Sequence, residues 1–251
     1  GDGTFFGGIA EGEPLNRFYG YVATGIIETE EQAANANYDA LSRLPQKGAK
    51  RVGDYEWADR NGDGQITTAD KFCLGVTVPP FTGGLKNSFR LKNWTLSLYL
   101  DWATGHSIFD ESYSRYFYGT FTNNYALAKD VLKAWKKPGD KTKYAKFYAN
   151  DSNWGNDNYN RSPTNTFTYK GDYLCLREIT LQYSLPSKLF TKVGLKGVTL
   201  TVSGNNLCYL TEVKGISPET GASTTYEGSG DNAYYNYPPI RRFSFGVRLI
   251  F

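Results

Sequence analysis

The sequence predicts an all-β protein: antiparallel strands of a transmembrane β-barrel joined by long loops that contain short helices. Three observations carry that expectation. Several runs alternate strictly between apolar and polar residues, the period of a strand with two unlike faces. Short and long connections alternate along the chain, which places all tight turns on one edge of an up-and-down sheet and all long loops on the other. Finally, no stretch approaches the ~18 apolar residues of a membrane-spanning helix, yet Tyr 20, Phe 15 and Trp 5 make 16% of the 251 residues aromatic.

The clearest run is the last. From Ile240 to Phe251, residues Phe243, Phe245, Val247, Leu249 and Phe251 share one face and Ser244, Gly246 and Arg248 the other. Gly197 to Cys208 sets Val198, Leu200 and Val202 against Thr199, Thr201 and Ser203. Tyr173 to Leu185 sets Ile179, Leu181 and Tyr183 against Glu178, Thr180 and Gln182. Trp94 to Trp102 alternates Trp94, Leu96, Leu98, Leu100 and Trp102 with Thr95, Ser97, Tyr99 and Asp101. Leu85 to Leu91 is a weaker run, and Arg17 to Val22 is a short sixth candidate. Trp94, Trp102, Phe243 and Phe251 fall near strand ends, where the aromatic girdle of a barrel belongs. A soluble β-sandwich would show the same alternation, so the connections discriminate. Lys92-Asn93 is a tight turn and 186–197 a short one, whereas 23–83, 103–171 and 209–238 are long. Bacterial barrels need at least eight strands, so six strands imply more chain upstream of Gly1, as does a sequence without Met.

Within the long loops, Thr29 to Leu44 reads as a helix, with Thr29 and Gln32 at capping-box spacing. Asn124 to Lys137 reads as a second, with Leu127, Val131 and Trp135 on one face and a stop at Pro138-Gly139. The stretch Asn150 to Tyr169 is rich in Asn and aromatics, either a solvated loop or a carbohydrate-facing surface.

The strongest chemical motif is Asp59-Arg-Asn61-Gly-Asp63-Gly64-Gln65-Ile66-Thr67-Thr-Ala-Asp70. It offers oxygen ligands at positions 1, 3, 5 and 12 of a twelve-residue loop, a backbone carbonyl at Gln65, a sharp turn at Gly64 and an apolar anchor at Ile66. That spacing suits Ca2+, which takes six to eight hard oxygens from a flexible loop. The expected ligands are Asp59, Asn61, Asp63, Gln65 and Asp70, holding a structural Ca2+. Position 12 is Asp70 rather than the longer Glu of an EF-hand, as in dockerin-like modules.

Other chemistry is poorly supported, and no enzyme is expected. His106 is the only histidine and reads as an exposed loop residue, so a catalytic triad lacks its base. Cys73, Cys175 and Cys208 fit neither a disulfide framework nor a zinc pattern, and Cys175 and Cys208 read as small buried thiols within strands. The net charge of +3 is dispersed, so no nucleic-acid partner is expected.

Certain stretches resemble a known family. They are Gly12-Glu-Pro14 with Phe18-Tyr-Gly-Tyr21 and Gly25-Ile26, Gly53-Asp54 leading into 59–64, Gly83-Gly84 before a strand, Asp172 to Pro186, Ser203 to Leu207, Lys214-Gly215 with Pro218-Glu219, and Tyr237-Pro-Pro239 before Phe251. In that order they resemble the carboxyl-terminal part of SusC/RagA-like TonB-dependent outer-membrane transporters of Bacteroidetes. Cys175, where the family usually has Arg, and Ser217, where it usually has Asp, depart from the pattern. The resemblance implies a barrel of about 22 strands, of which this chain supplies about six. It implies import of glycans or oligopeptides across the outer membrane, powered by the TonB complex through upstream regions and assisted by a SusD-like lipoprotein. It also implies that Phe251 is the signal read by the barrel-assembly machinery. The alternatives left by the residues are a soluble extracellular glycan-binding β-domain with a dockerin-like calcium loop and a glycoside hydrolase fragment.

Overall fold

A computed structural model describes residues 11–14, 16–41, 50–111, 113–114, 128–147, 164–190, 194–214, 216–219 and 240–251. The chain divides into two compact units. One comprises 1–78, 107–169 and 220–236, and the other 79–106, 170–219 and 237–251.

The first unit is built from short elements. Strand β1 (Arg17–Gly20) precedes β2 (Ala23–Ile26), helix α1 (Glu30–Asn35), β3 (Tyr38–Asp39), β4 (Tyr55–Trp57), β5 (Gln65–Ile66) and β6 (Phe72–Val76). Its two-stranded pairings include β1 with β6, β2 with β4, and β3 with β5. Tyr21, Tyr55, Trp57, Ile66, Ala134, Tyr144, Ala145 and Phe167 form its buried core. Tyr21 meets Trp57 edge-on at 6.2 Å between centroids and Tyr144 stacks with Phe167 at 6.3 Å, two arrangements that suit the quadrupoles of aromatic faces. Gly53 has φ +97, and a Cβ there would lie 2.8 Å from the Trp135 ring, so the backbone passes where only glycine fits.

Both expected helices are present but shortened. Thr29 caps α1 in a reciprocal box with Gln32, yet the helix ends at Asn35 because Tyr38 and Asp39 are drawn into parallel pairing with Gln65 and Ile66. Over 124–137 the described part is a 3-10 helix, Lys129–Lys133. Its amides have other partners: Trp135 donates to the Tyr144 carbonyl, and Lys136 and Lys137 donate to the Asp140 carboxylate. Residues 124–127 lie outside the described residues.

The second unit is one antiparallel sheet of β7 (Phe81–Leu91), β8 (Trp94–Thr104), β11 (Tyr173–Ser184), β12 (Gly197–Thr211) and β13 (Arg242–Ile250). Between β8 and β11 the chain runs through β9 (Ser107–Phe109) and β10 (Thr168–Lys170). Sheet order equals chain order, so these strands form an up-and-down meander. Five of the six expected strands lie in it. The sixth, Arg17–Gly20, pairs antiparallel with β6 instead. The strands are nine to fifteen residues long, against the ~9–11 residues a tilted strand needs to cross a bilayer. At the turn edge, Lys92 takes φ 51, and Asn93 joins the hairpin to β11 through Nδ2 to the Ser184 carbonyl at 2.7 Å. Gly83 faces Trp102, whose ring occupies the place of a Cβ.

Candidate functional site

Cross-strand partners share a face, so the ladder sorts the side chains of the sheet. On one face the rows read Leu91, Trp94, Tyr183, Leu200, Val247; then Phe89, Leu96, Leu181, Val202, Phe245; then Asn87, Leu98, Ile179, Gly204, Phe243. On the other they read Arg90, Thr95, Gln182, Thr201, Gly246; then Ser88, Ser97, Thr180, Ser203, Ser244; then Lys86, Tyr99, Glu178, Asn205, Arg242. The apolar face is exposed, with Phe245 at 81% and Phe89 at 54%. Soluble monomers rarely expose contiguous apolar patches beyond a few hundred Å2. An apolar outer face against a polar inner one is the arrangement of a barrel wall in lipid. Trp94 packs against Tyr183 at the turn edge with tilted rings, 4.4 Å between centroids, and Trp102 lies toward the opposite edge. Phe243 begins its own strand, yet it occupies the row of Leu98 and Ile179.

The polar face contains a constellation that sequence reading missed. The register of β11 shifts between Leu176 and Glu178 against both neighbours: Arg177 is an extra residue, a β-bulge, against β8, whereas β12 sets two residues, Asn206 and Leu207, opposite it. Its guanidinium grips Asp101 bidentately, Nε to Oδ1 at 2.8 Å and Nη2 to Oδ2 at 2.6 Å. Nη1 donates to Asn206 Oδ1 at 2.9 Å and the Tyr209 hydroxyl at 3.1 Å, and Nη2 also meets Glu219. One cation thus ties β8, β11 and β12 to the segment after β12. The available signal was that Asp101 is the one acid among the polar-facing residues of its strand.

Nearby, His106 corrects the expectation of an exposed loop residue. It is 4% exposed, with Nε2 3.2 Å from the Pro218 carbonyl. Gly171 abuts its ring so closely that a Cβ would sit 2.3 Å from Nε2. Cys175 is buried as expected, whereas Cys208 is exposed on the apolar face, because β12 turns it away from the Arg177 side.

The loop 59–70 folds back through its own polar groups. Asp59 accepts the amides of Gly62 at 2.7 Å and Gly64 at 2.8 Å. These bonds, the one from Gly64 foremost, hold its carboxyl below the usual range. Asn61 Oδ1 accepts Asp63 N, and Asp63 Oδ1 accepts Gln65 N. Gly62 and Gly64 take φ 75 and 78. Ile66 is fully buried, as the anchor position requires. Asp70 instead caps the 3-10 helix Thr68–Asp70, accepting from Thr67 N at 2.7 Å and Arg60 N at 3.0 Å. Among the described residues no group of three or more His, Cys, Asp or Glu is gathered as a metal-binding cluster.

The first unit also has an open groove of about 430 Å3, lined by Ala23–Ile26, Glu28, Asp140, Lys143, Asn165 and Tyr169, among others. Asp140 is held below the usual carboxyl range by the amides of Lys136 and Lys137. Burial first, then nearby charges, push the Tyr169 phenol up. Phe251 is exposed.

No family model matches the chain. TonB-dependent receptor P3 of Formosa agariphila is 29% identical over 252 residues, covering 97% of this chain and 23% of the receptor. TonB-dependent receptor P39 of the same organism is 30% identical over 254 residues, covering 88% of this chain and 24% of the receptor. Over nearly its whole length the chain is similar to part of these TonB-dependent receptors. It spans about a quarter of the length of the curated receptors it matches. The structure of the RagAB peptide transporter shares its fold, with a TM-score of 0.60 at 19% identity over 93% of this chain and 23% of that one. The open-open state of the RagAB peptide importer gives 0.61 at 20% identity over 96% and 23%. The likeness to TonB-dependent receptors read from the sequence therefore holds, with a fold shared with the RagAB structures, and the relatives carry receptor and transporter names rather than enzyme names.

Proposed function

We propose that this chain forms barrel wall and extracellular loops of an outer-membrane TonB-dependent transporter that imports bulky nutrients, glycans or oligopeptides, with a SusD-like lipoprotein. The observation that carries this reading is the five-stranded meander with one face of mainly apolar rows, interrupted by Asn87 and Gly204, and an opposite face of mainly polar rows. TonB-dependent relatives and the RagAB fold support it. In this reading the loops 23–83, 103–171 and 209–238 face outward from the cell, opposite the tight turns at 92–93 and 185–196. Detergent dependence is the test: the protein is expected to be monodisperse in detergent micelles and to aggregate in plain buffer. Monodispersity without detergent would refute a lipid-facing wall.

The 59–70 loop retains a structural calcium role as a second proposal. Its ligand spacing supports it, as do the left-handed turns at Gly62 and Gly64. Asp70 would have to rotate from its cap to complete the ligand set. Removing Ca2+ with a chelator should lower the melting temperature of the wild type but not of Asp63→Ala. An identical curve with and without chelator would end the calcium reading.

A further inference from the structure

We propose that the free edge of β2 in the loop-unit groove is a docking site for a short extended peptide, recognised through its backbone amides. Strand β2 pairs with β4 on one side only. Ile27 donates its N–H to the Asp54 carbonyl and accepts the Gly53 amide. In an antiparallel ladder alternate residues turn both groups to opposite sides, so Ile26 presents its N–H and C=O to the groove. The register shift between Ala23 and Gly25 puts Ala23 on that same outer side.

The chain itself shows what this edge accepts. Thr164 forms a parallel bridge to Tyr21, and Asn165 N donates to the Tyr21 carbonyl at 3.1 Å. The Asn165 side-chain amide then meets Ala23 as a strand's peptide group would, Oδ1 accepting Ala23 N at 3.0 Å and Nδ2 donating to Ala23 O at 3.1 Å. There the segment leaves the edge as the 3-10 helix Asn165–Phe167. Thr24, Gly25 and Ile26 continue the edge with no strand partner on it among the described residues, inside the groove. With Ala23 taken by Asn165, the open edge is Thr24–Ile26, ~10 Å at ~3.3 Å per residue, with the N–H and C=O of Ile26 turned outward, room for one short segment added in the manner of β-augmentation.

The groove's side chains favour peptide over sugar. Tyr55 is buried with its hydroxyl on the Lys143 carbonyl, and the Lys143 ammonium sits 5.2 Å from the centroid of the Tyr169 ring. Neither ring offers an open platform for a pyranose. Glu28 and Asp140 line the groove, while Lys143 is directed to the Thr166 carbonyl at 3.1 Å, so a cationic residue in the peptide is matched.

The site goes beyond the import reading, and its test needs no transport. The probe is acetyl-Ala-Lys-Ala-Ala-amide, titrated calorimetrically into the detergent-solubilised chain. A Cβ on Gly25 would meet nothing within 4 Å, so Gly25→Phe starts into open space on a residue that lines the groove, and an unchanged melting temperature is the control that its ring leaves the fold intact. Binding should weaken at least about tenfold when alternate amides of the peptide are N-methylated, and by as much in Gly25→Phe. Excess maltotetraose should not displace the peptide. No binding at millimolar peptide, equal affinity for the N-methylated peptide, indifference to Gly25→Phe, or displacement by maltotetraose would each overturn the proposal. Detergent dependence reports on the import reading separately.

Discussion

Lys50 and Asp39 form an ion pair at 2.9 Å with side chains 7% and 2% exposed. Removing one partner of a buried pair costs far more than the pair contributes, because the other charge stays desolvated. Lys50→Ala is therefore expected to destabilise the loop unit by about 3–5 kcal/mol, measured as a fall in its denaturation midpoint in detergent. A change below about 1 kcal/mol would mean that the Asp39 carboxylate is satisfied without its cation. Neither residue stands out in the sequence: Asp39 follows a short helix and Lys50 lies in a polar stretch. Their pairing depends on β3 docking beside β5, a long-range event that local pattern does not encode.

At the scale of elements, sequence reading succeeded where one physical rule acts alone. Period-2 alternation located β7, β8, β11, β12 and β13 because each strand meets two unlike environments along its whole length. The capping box placed the start of α1 because it is local chemistry. The same reasoning overextended α1 and the 129–133 helix, since distant partners claimed their amides: Gln65–Ile66 for one, Asp140 and Tyr144 for the other. The face assignment leads to a paired prediction. Leu98→Arg, on the outward row, should cost about 2–4 kcal/mol of stability in a bilayer if that row lies near the midplane. Ser97→Arg, one residue away on the polar face, should cost little. Equal effects from both substitutions, read by folding titrations into lipid vesicles, would remove the distinction between the faces.

On the scale of the whole molecule, the meander leaves β7 and β13 as open edges, each a row of unpaired amides unless another strand joins it. Strands beyond those described here would close the wall in a complete receptor. In the proposed barrel the last residue, Phe251, continues the outward apolar face of Phe245, Val247 and Leu249. Deleting Phe251 from the full-length receptor should abolish its insertion into the outer membrane, assayed by heat-modifiable migration of outer-membrane fractions. Normal insertion would show that the terminal aromatic is not read. The overall class was legible because the alternation of short and long connections is set by strand spacing and does not depend on how the loops fold. The Arg177 cluster was not, because it depends on a bulge that no composition rule announces.

That bulge changes what an insertion or deletion means in β11. Leu174 and Leu176 occupy even positions, Ile179, Leu181 and Tyr183 odd ones, and all five share the apolar face only because Arg177 shifts the phase between them. Loss of that single residue would act as a half-period slip, sending one end of the strand inside out, whereas substitution would merely cut the ion pair. The strand is two phased segments spliced at an arginine, and the same residue that corrects the phase fastens the splice to its neighbours.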